Sequence, residues 1–214
     1  MICLLHRLQA TRAVLLSGLL GLLVAVPAFA QSVEELKVVL ADAASRNTAL
    51  EAGRKVASFC ANCHGANGNS TQGDVPNLAA QNPIYLLNQI NKFYTGERQD
   101  QWMEPVIRLL SETERLNLVA YYTFQRVTPV RAGTGSKTGH EVFLRVCARC
   151  HGPQGLGGER FPRLAGQQHD YIVKSLTRYR DRTGVRMEPE MLAMTAALSD
   201  AEIRALADYL SAMR

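Results

Sequence analysis

Two short stretches decide the fold of this 214-residue chain: Cys60-Ala61-Asn62-Cys63-His64 and Cys147-Ala148-Arg149-Cys150-His151. Each has the pattern Cys-x-x-Cys-His, in which the two thiols can form thioether bonds to a porphyrin and the adjacent histidine can bind its iron. The second stretch begins 87 positions after the first. Together they predict two covalently attached c-type haems, with His64 and His151 as iron ligands and thioethers at Cys60, Cys63, Cys147 and Cys150.

The cysteines have two competing uses, disulfides and zinc. Apart from Cys3, every cysteine of the chain lies in one of the two motifs. Exported proteins often contain disulfides, and the spacing alone would also allow a zinc site. Neither use explains why a histidine directly follows each cysteine pair. Haem attachment therefore remains the prediction.

The start of the chain, residues 1–30, predicts a signal peptide. Arg7 and Arg12 precede an almost wholly apolar stretch at 14–26, and Ala28-Phe29-Ala30 has the small-x-small form of a cleavage site. The alternative is a retained membrane anchor, since this stretch and its flanks approach the length of a short membrane span. Cleavage after Ala30 would place the mature chain in the periplasm.

The charge of the chain does not indicate a nucleic-acid partner. Lysine and arginine number 24 against 19 acidic residues, for a formal net charge of +5. These charges are spread along the sequence, and no dense basic run occurs. Outside the haem motifs we find no nucleophile with its base, acid pair or phosphate loop. We therefore expect neither a nucleic-acid partner nor a small-molecule substrate.

The sequence contains an internal repeat, which predicts its domain organisation. The repeat gives a first domain at 49–128, a linker at 129–137 and a second domain at 138–214. Residues 31–48 form a helix-rich lead-in without a counterpart in the second half. Matching segments, separated by 86 to 88 positions, are 75–81 and 161–167, 85–86 and 171–172, 110–114 and 198–202, and Tyr121 and Tyr209.

Each repeat has the pattern of short helices joined by loops. Ser111 with Glu114 and Ser199 with Glu202 form capping boxes at the start of the last helix of each repeat. No strand signal of useful length occurs, so the predicted class is all-α, with a few short helices wrapped around one haem in each domain. Loops rich in Gly, Pro, Asn and Gln are predicted at 65–82 and 152–166, and helices at 49–59, 83–94, 141–146 and 169–179.

The first repeat offers one candidate for the opposite side of its iron. Met103 is the only methionine between His64 and the linker, and this part of the chain has no second histidine outside the motif. A thioether is a soft ligand that favours ferrous iron, and a filled sixth position suits an electron carrier. Met103 stands seven residues before Leu110, at the loop that leads into the capped helix.

The second repeat offers three candidates, Met187, Met191 and Met194. Counting seven residues back from Leu198 gives Met191, which is the predicted ligand. Met187 competes because Met187-Glu188-Pro189 repeats Met103-Glu104-Pro105. The choice among the three stays open from sequence.

Two prolines follow the haem motifs at similar distances. Pro76 follows His64 and Pro162 follows His151 with almost the same spacing along the chain. A carbonyl or turn in this loop could accept the imidazole N–H and fix the orientation of the ring, as partners of metal-bound histidines do. Simple turn formation is the alternative.

These features resemble the dihaem class I cytochromes c of the cytochrome c4 type, over about residues 50–212. The resemblance rests on both haem motifs, the Pro-x-Leu-Ala-x-Gln segments at 76–81 and 162–167, the methionines and the capped helices. It implies His/Met ligation at both irons, two tandem cytochrome c-like domains packed face to face, and prolines 76 and 162 beside the proximal histidines. The chain departs from the family in its duplicated Met-Glu-Pro and its lead-in at 33–44.

The resemblance also implies a function. Members of the family shuttle electrons in the periplasm, often towards a terminal oxidase, so the expected partners are redox proteins, including a membrane-bound oxidase or dehydrogenase. Two alternatives stay open: a cytochrome subunit of a dehydrogenase complex, and a dihaem redox enzyme with one displaceable distal ligand. The sequence favours the carrier because it offers a ligand for both sides of each iron.

Overall fold

Helices are the regular secondary structure of the part of the chain that the structure describes. This computed structural model describes residues 28–128, 135–184, 186 and 188–214. No strand occurs in these residues, which confirms the predicted all-α class. Most of the predicted signal peptide, residues 129–134 of the predicted linker and Met187 lie outside them. The helices are α1 (Ala28–Ala41), α2 (Ala43–His64), α3 (Pro83–Thr95), α4 (Met103–Arg108), α5 (Glu112–Thr123), α6 (Lys137–Val142), α7 (Ala148–His151), α8 (His169–Arg180), α9 (Pro189–Thr195) and α10 (Asp200–Ala212), with a π-helical turn (Phe143–Cys147) between α6 and α7.

In each half, the helix that leads to the haem motif crosses the last helix at a glycine. A Cβ atom on Gly53 of α2 would lie 2.0 Å from the carbonyl oxygen of Asn117 in α5. A Cβ atom on Gly139 of α6 would lie 2.0 Å from the carbonyl oxygen of Ala205 in α10. Only glycine permits such close backbone approach. Both haem motifs are thereby held against the same kind of helix pair.

The two helical routes to the haem motif differ in regularity. From Gly53 to Cys60 is seven residues of continuous α-helix, whereas from Gly139 to Cys147 is eight. The π-helical turn Phe143–Cys147 lies in the second route, and such turns are the usual way for a helix to accommodate an extra residue. The turn therefore keeps the glycine crossing and the cysteine in equivalent places despite the insertion.

The capping boxes at α5 and α10 are present as predicted. The Ser111 hydroxyl accepts the Glu114 N–H at 3.3 Å, and the Glu114 carboxylate accepts the Ser111 N–H at 2.8 Å. The corresponding distances at Ser199 and Glu202 are 3.2 and 2.9 Å. Each of these helices buries an apolar face, formed by Leu116, Val119 and Ala120 in α5 and by Ile203, Leu206, Ala207 and Leu210 in α10.

The helical lead-in belongs structurally to the first half. Leu36 of α1 is fully buried in the core of that half, and the Ser32 hydroxyl donates to the Glu112 carboxylate at the start of α5. Helix α2 begins earlier than the predicted residue 49, because the Asp42 side chain caps it by accepting the Ser45 N–H at 2.8 Å. The predicted boundary between lead-in and first domain therefore falls inside α2.

The predicted loops and central helices are also found. Residues 65–82 and 152–168 contain no helix, and α3 and α8 begin at the predicted residues. Each half has its own apolar core. Among the residues that the structure describes, no helix combines the length and apolar character needed to cross a membrane.

Candidate haem sites

The two motif histidines are presented in the same way. His64 ends α2 and His151 ends α7, and both side chains are buried. The Nδ1 atom of His64 lies 2.9 Å from the carbonyl oxygen of Pro76, and that of His151 lies 3.0 Å from the carbonyl oxygen of Pro162. Since a carbonyl oxygen can only accept, Nδ1 carries the proton in each ring, and Nε2 is left with its lone pair.

The protonation state of these rings suits metal binding. Burial lowers the pKa of both His64 and His151, while the hydrogen bond to the proline carbonyl opposes this shift. A neutral imidazole with its second nitrogen held by a carbonyl is the form in which histidine binds iron in proteins. Both rings are therefore oriented and neutral at neutral pH.

None of the four motif cysteines forms a disulfide in the described chain. Burial raises the pKa of Cys60 and raises that of Cys147 to about 11, so both sulfurs are protonated at neutral pH. A zinc site would need thiolates gathered around one point. Within the described ranges, no group of three or more His, Cys, Asp or Glu side chains is arranged to hold a metal ion. The thiols instead stand within the same helical turn as a buried histidine.

A cluster of two arginines and two tyrosines lies where the halves meet. Arg98 donates to the Tyr171 hydroxyl at 3.4 Å, and Arg186 donates to the same hydroxyl at 3.4 Å and to the Tyr85 hydroxyl. Among the residues that the structure describes, neither guanidinium lies within ion-pair distance of a carboxylate. The Nε atom of Arg186 is buried and has no hydrogen-bond partner there.

This cluster has the electrostatic character of an anion site. Burial raises the pKa of Tyr171, but the guanidinium groups of Arg98 and Arg186 outweigh it and lower the pKa to about 7. Buried cations in proteins are normally paired with anions. The propionate carboxylates of haem are anions of this kind, so the arginines, the free thiols and the buried imidazoles together fit the group that the sequence implies.

The predicted distal methionines Met103 and Met191 both lie on short helices and are half-buried. Met103 begins α4 and is half-buried against the first core. Met191 is the third residue of α9 and is half-buried, whereas Met194 on the same helix is 39% exposed. Met187 lies outside the described residues. The ligand roles of Met103, Met191 and the two alternatives remain predictions.

From the sequence, the two arginines support the choice of Met191 by their matching positions but receive no role in the haem sites. Arg98 and Arg186 stand at matching positions in the repeat, each five residues before the methionine predicted as ligand. A basic residue repeated at the same place in two haem modules was the available signal. Their convergence on one tyrosine could be recognised only once the two halves were placed together.

Comparison with known proteins assigns the chain to a family. The model of the cytochrome c family matches residues 50–121 and 136–214, and so covers both repeats. Cytochrome c4 of Thiocapsa roseopersicina is 34% identical over 172 residues, with 74% of this chain and 89% of that protein covered. A Thiomonas intermedia protein named thiosulfate dehydrogenase electron acceptor is 33% identical over 174 residues, with 73% of this chain and 79% of that protein covered.

A solved structure agrees with these relatives. The crystal structure of reduced recombinant cytochrome c4 from Pseudomonas stutzeri has a TM-score of 0.70 and 29% sequence identity, and the match covers 77% of this chain and 98% of that one. The matches confirm two tandem cytochrome c domains and two haem c cofactors, and they support the function of a dihaem electron carrier. The chain therefore belongs to the cytochrome c family and is a dihaem cytochrome of the cytochrome c4 type.

Proposed function

We propose that this protein carries electrons between periplasmic redox partners, towards a terminal oxidase. The observation that carries the proposal is the repeated geometry of His64 and His151, each buried and held through Nδ1 by a proline carbonyl. Haem supplies a one-electron couple when it is bound. The chain supplies ligands, orientation and a water-poor environment.

Specific residues would hold each group. Cys60 and Cys63 form the thioethers of the first haem, and Cys147 and Cys150 those of the second. His64 with Met103 would bind the first iron, and His151 with Met191 the second. Closed positions suit a carrier because the ligand set does not change between oxidation states. Arg98 and Arg186 pair with propionates at the junction between the domains.

The test is to replace each methionine by alanine and to measure the sulfur-to-iron charge-transfer band of the ferric protein. We expect Met103→Ala and Met191→Ala each to remove about half of the band, because each variant loses one of the two methionine sulfurs bound to iron. Met194→Ala is the matched control on the same helix and should leave the band intact. A full band in Met191→Ala would exclude this residue and turn attention to Met187.

Binding of small ligands separates a carrier from an enzyme. If both irons are closed, the protein should not bind cyanide when oxidised or carbon monoxide when reduced, at low ligand concentration. Tight binding to one iron of the unmodified protein would favour the dihaem enzyme. The Met103→Ala protein is the positive control, since removal of the thioether opens one site.

Export is a further part of the proposal. The basic start, apolar stretch and Ala-x-Ala ending support cleavage after Ala30. The mature protein recovered from a periplasmic fraction should therefore begin at Gln31. A membrane-bound protein that retains the segment 1–30 would contradict this and support the anchor.

A second candidate function is to accept electrons from a dehydrogenase. It is favoured by the similarity to the Thiomonas intermedia thiosulfate dehydrogenase electron acceptor. In that case the protein should be reduced rapidly by a purified dehydrogenase of this type or purify together with it. Rapid oxidation by a terminal oxidase, with no reduction by the dehydrogenase, would favour the first candidate.

A further inference from the structure

One peptide group links the first proximal histidine to the opposite domain. The carbonyl of Pro76 lies 2.9 Å from His64 Nδ1. The N–H of the same peptide unit belongs to Asn77 and donates to the Oε1 atom of Gln167 at 2.7 Å. The Gln167 side chain also donates from Nε2 to the Asn77 carbonyl at 3.0 Å. The Gln167 side chain therefore forms two hydrogen bonds with the backbone of Asn77, one of them to the peptide unit that orients His64.

The second domain has the same link in the opposite direction. The carbonyl of Pro162 lies 3.0 Å from His151 Nδ1, and the N–H of Arg163 in the same peptide unit donates to Gln81 Oε1 at 2.7 Å. Gln81 also donates from Nε2 to the Arg163 carbonyl at 3.1 Å. The two links match to within a few tenths of an ångström, although the paired residues are 82 and 90 positions apart in sequence.

Both glutamines are fixed and almost fully buried. Gln81 is 6% exposed and Gln167 is 7% exposed. Each Oε1 atom accepts a second N–H from the following residue, Asn82 at 3.0 Å and Gln168 at 2.9 Å. The oxygen thus faces two donors while the nitrogen faces a carbonyl, which defines the orientation of each amide. Hydrogen bonds of this kind are stronger in a buried, low-dielectric setting.

We propose that Gln167 is a positioning residue for the proximal histidine of the first domain, and Gln81 for that of the second, so that each domain tunes the iron of the other. An N–H bonded to an acceptor makes the carbonyl of the same peptide more negative, because linked hydrogen bonds polarise one another. A more negative carbonyl draws the Nδ1 proton and makes the imidazole a stronger donor to iron. Such a ligand favours ferric iron and lowers the reduction potential.

The inference rests on the proposed roles of His64 and His151 as iron ligands. It goes beyond them because it assigns a function to side chains that do not belong to the domain they affect. In this arrangement the docking of the domains and the potentials of the irons are linked. By reciprocity, the oxidation state of one iron also changes the strength of the contact between the domains.

The first test replaces Gln167 by leucine and measures both reduction potentials in the holoprotein by spectroelectrochemistry. The Met103→Ala and Met191→Ala proteins serve to assign the two haems. Loss of the acceptor should raise the reduction potential of the first haem. We expect the equilibrium constant for its reduction to increase roughly tenfold, which corresponds to about 59 mV for one electron. The second haem, in whose domain residue 167 lies, should move less.

Gln168→Leu is the matched control. This neighbouring glutamine is 3% exposed and also crosses the interface, where its side chain donates to the Ser70 carbonyl and to the Asn77 side chain at 3.1 Å. It does not contact the peptide between Pro76 and Asn77. We expect it to weaken domain docking without shifting the first potential to the same extent. An equal shift in both variants would overturn the proposal.

Gln167→Glu keeps the shape of the side chain and should shift the reduction potential of the first haem in the opposite direction. A carboxylate is a stronger acceptor for the Asn77 N–H, so the potential of the first haem should fall. The pair Gln81→Leu and Gln81→Glu should do the same at the second haem. The proposal would be overturned if a substitution changed only the reduction potential of the haem in its own domain. It would also be overturned if the Leu and Glu variants shifted the potential in the same direction.

The hyperfine-shifted proton resonances of the ferric protein show whether the positioning role of the glutamines fails or the proposed function itself fails. If wild-type and Gln167→Leu proteins show intact His/Met spectra and equal potentials, the positioning role is wrong and the ligand assignment stands. If the wild-type protein lacks histidine signals at the first iron, the ligand assignment itself fails. A selective shift of the first haem's signals in Gln167→Leu would support both.

Discussion

The two domains share a backbone arrangement but differ in the residue that follows the proline bonded to each proximal histidine. After Pro76 comes Asn77, whose side chain bonds to the Ser70 N–H at 2.8 Å and to the Gly166 carbonyl at 2.8 Å. After Pro162 comes Arg163, which donates to the Ala165 carbonyl of its own loop at 3.1 Å. The neutral Asn77, which is hydrogen-bonded across the interface, thus has the cation Arg163 as its counterpart in the second domain. The two haem sites are therefore not electrostatically equivalent.

A second difference lies in the helices that deliver the motifs. The first domain uses one continuous helix, α2, whereas the second uses α6, the π-helical turn and α7. Both routes keep the glycine crossing at Gly53 or Gly139. The comparison teaches that the crossing is the fixed feature, while the helix between the crossing and the cysteines can vary.

The largest effect should come from closing this crossing with a methyl group. In Gly53→Ala and Gly139→Ala, the new Cβ would lie 2.0 Å from a backbone oxygen, so the two helices must move apart. Overpacking of this kind destabilises by about 3 kcal/mol, and the helix preference of alanine recovers only about 1 kcal/mol of it. Chemical unfolding followed at each haem should show a lower free energy of unfolding in the first domain for Gly53→Ala and in the second domain for Gly139→Ala.

A suitable control is Gly158→Ala. No atom lies within 4 Å of a Cβ built on Gly158, so its stability should stay within about 0.5 kcal/mol of the wild-type protein. If Gly139→Ala proved as mild as this control, the π-helical turn would be absorbing the displacement. The two crossings would then differ in rigidity as well as in route.

The next effect concerns the charge at Arg163. Burial lowers the pKa of this guanidinium, yet it remains charged at neutral pH beside the loop that orients His151. A nearby positive charge disfavours ferric iron, so Arg163→Asn, which installs the residue type of Asn77, should lower the potential of the second haem. We expect roughly tenfold in the reduction equilibrium, or about 59 mV, measured by redox titration.

Arg160→Asn gives the reference for a solvent-exposed charge in the same loop. Arg160 is exposed in the same loop, where water screens its charge, so its removal should shift the second potential much less. Equal shifts in the two variants would mean that net charge, rather than the position of Arg163, sets the difference between the haems. A drop at the first haem instead would show that Arg163 acts across the interface.

Local patterns predicted much of this architecture, while contacts between the halves escaped them. The capping boxes at Ser111 and Ser199 were readable because a cap involves residues three positions apart. The one-residue insertion before Cys147 follows from matching Gly53 with Gly139, whose equivalence only the helix crossings show. The π-helical turn that contains it was not predicted from the sequence. The pairing of Gln81 with Arg163 depends on how two folded domains dock, and no periodicity encodes that.

The smallest predicted effect concerns one left-handed residue in each repeat. Ala80 has φ of 49°, and its counterpart Gly166 has φ of 72°. Each donates its N–H to the carbonyl of a residue in the last helix of its domain, Tyr122 or Leu210, at 2.9 Å. The repeat therefore uses the same turn twice, but the first copy places a Cβ where left-handed backbone disfavours one.

Replacing Ala80 by glycine should consequently stabilise the first domain by up to about 1 kcal/mol, since relief of the left-handed strain exceeds the added freedom of the unfolded chain. Ala79→Gly is the control, because this neighbour is 3% exposed and its φ is not positive, so it should be destabilised by about 1 kcal/mol. Urea unfolding of the holoproteins measures both. If Ala80→Gly were destabilising, packing of the Ala80 methyl group would outweigh backbone strain, and the two turns would be equivalent in shape but not in energy.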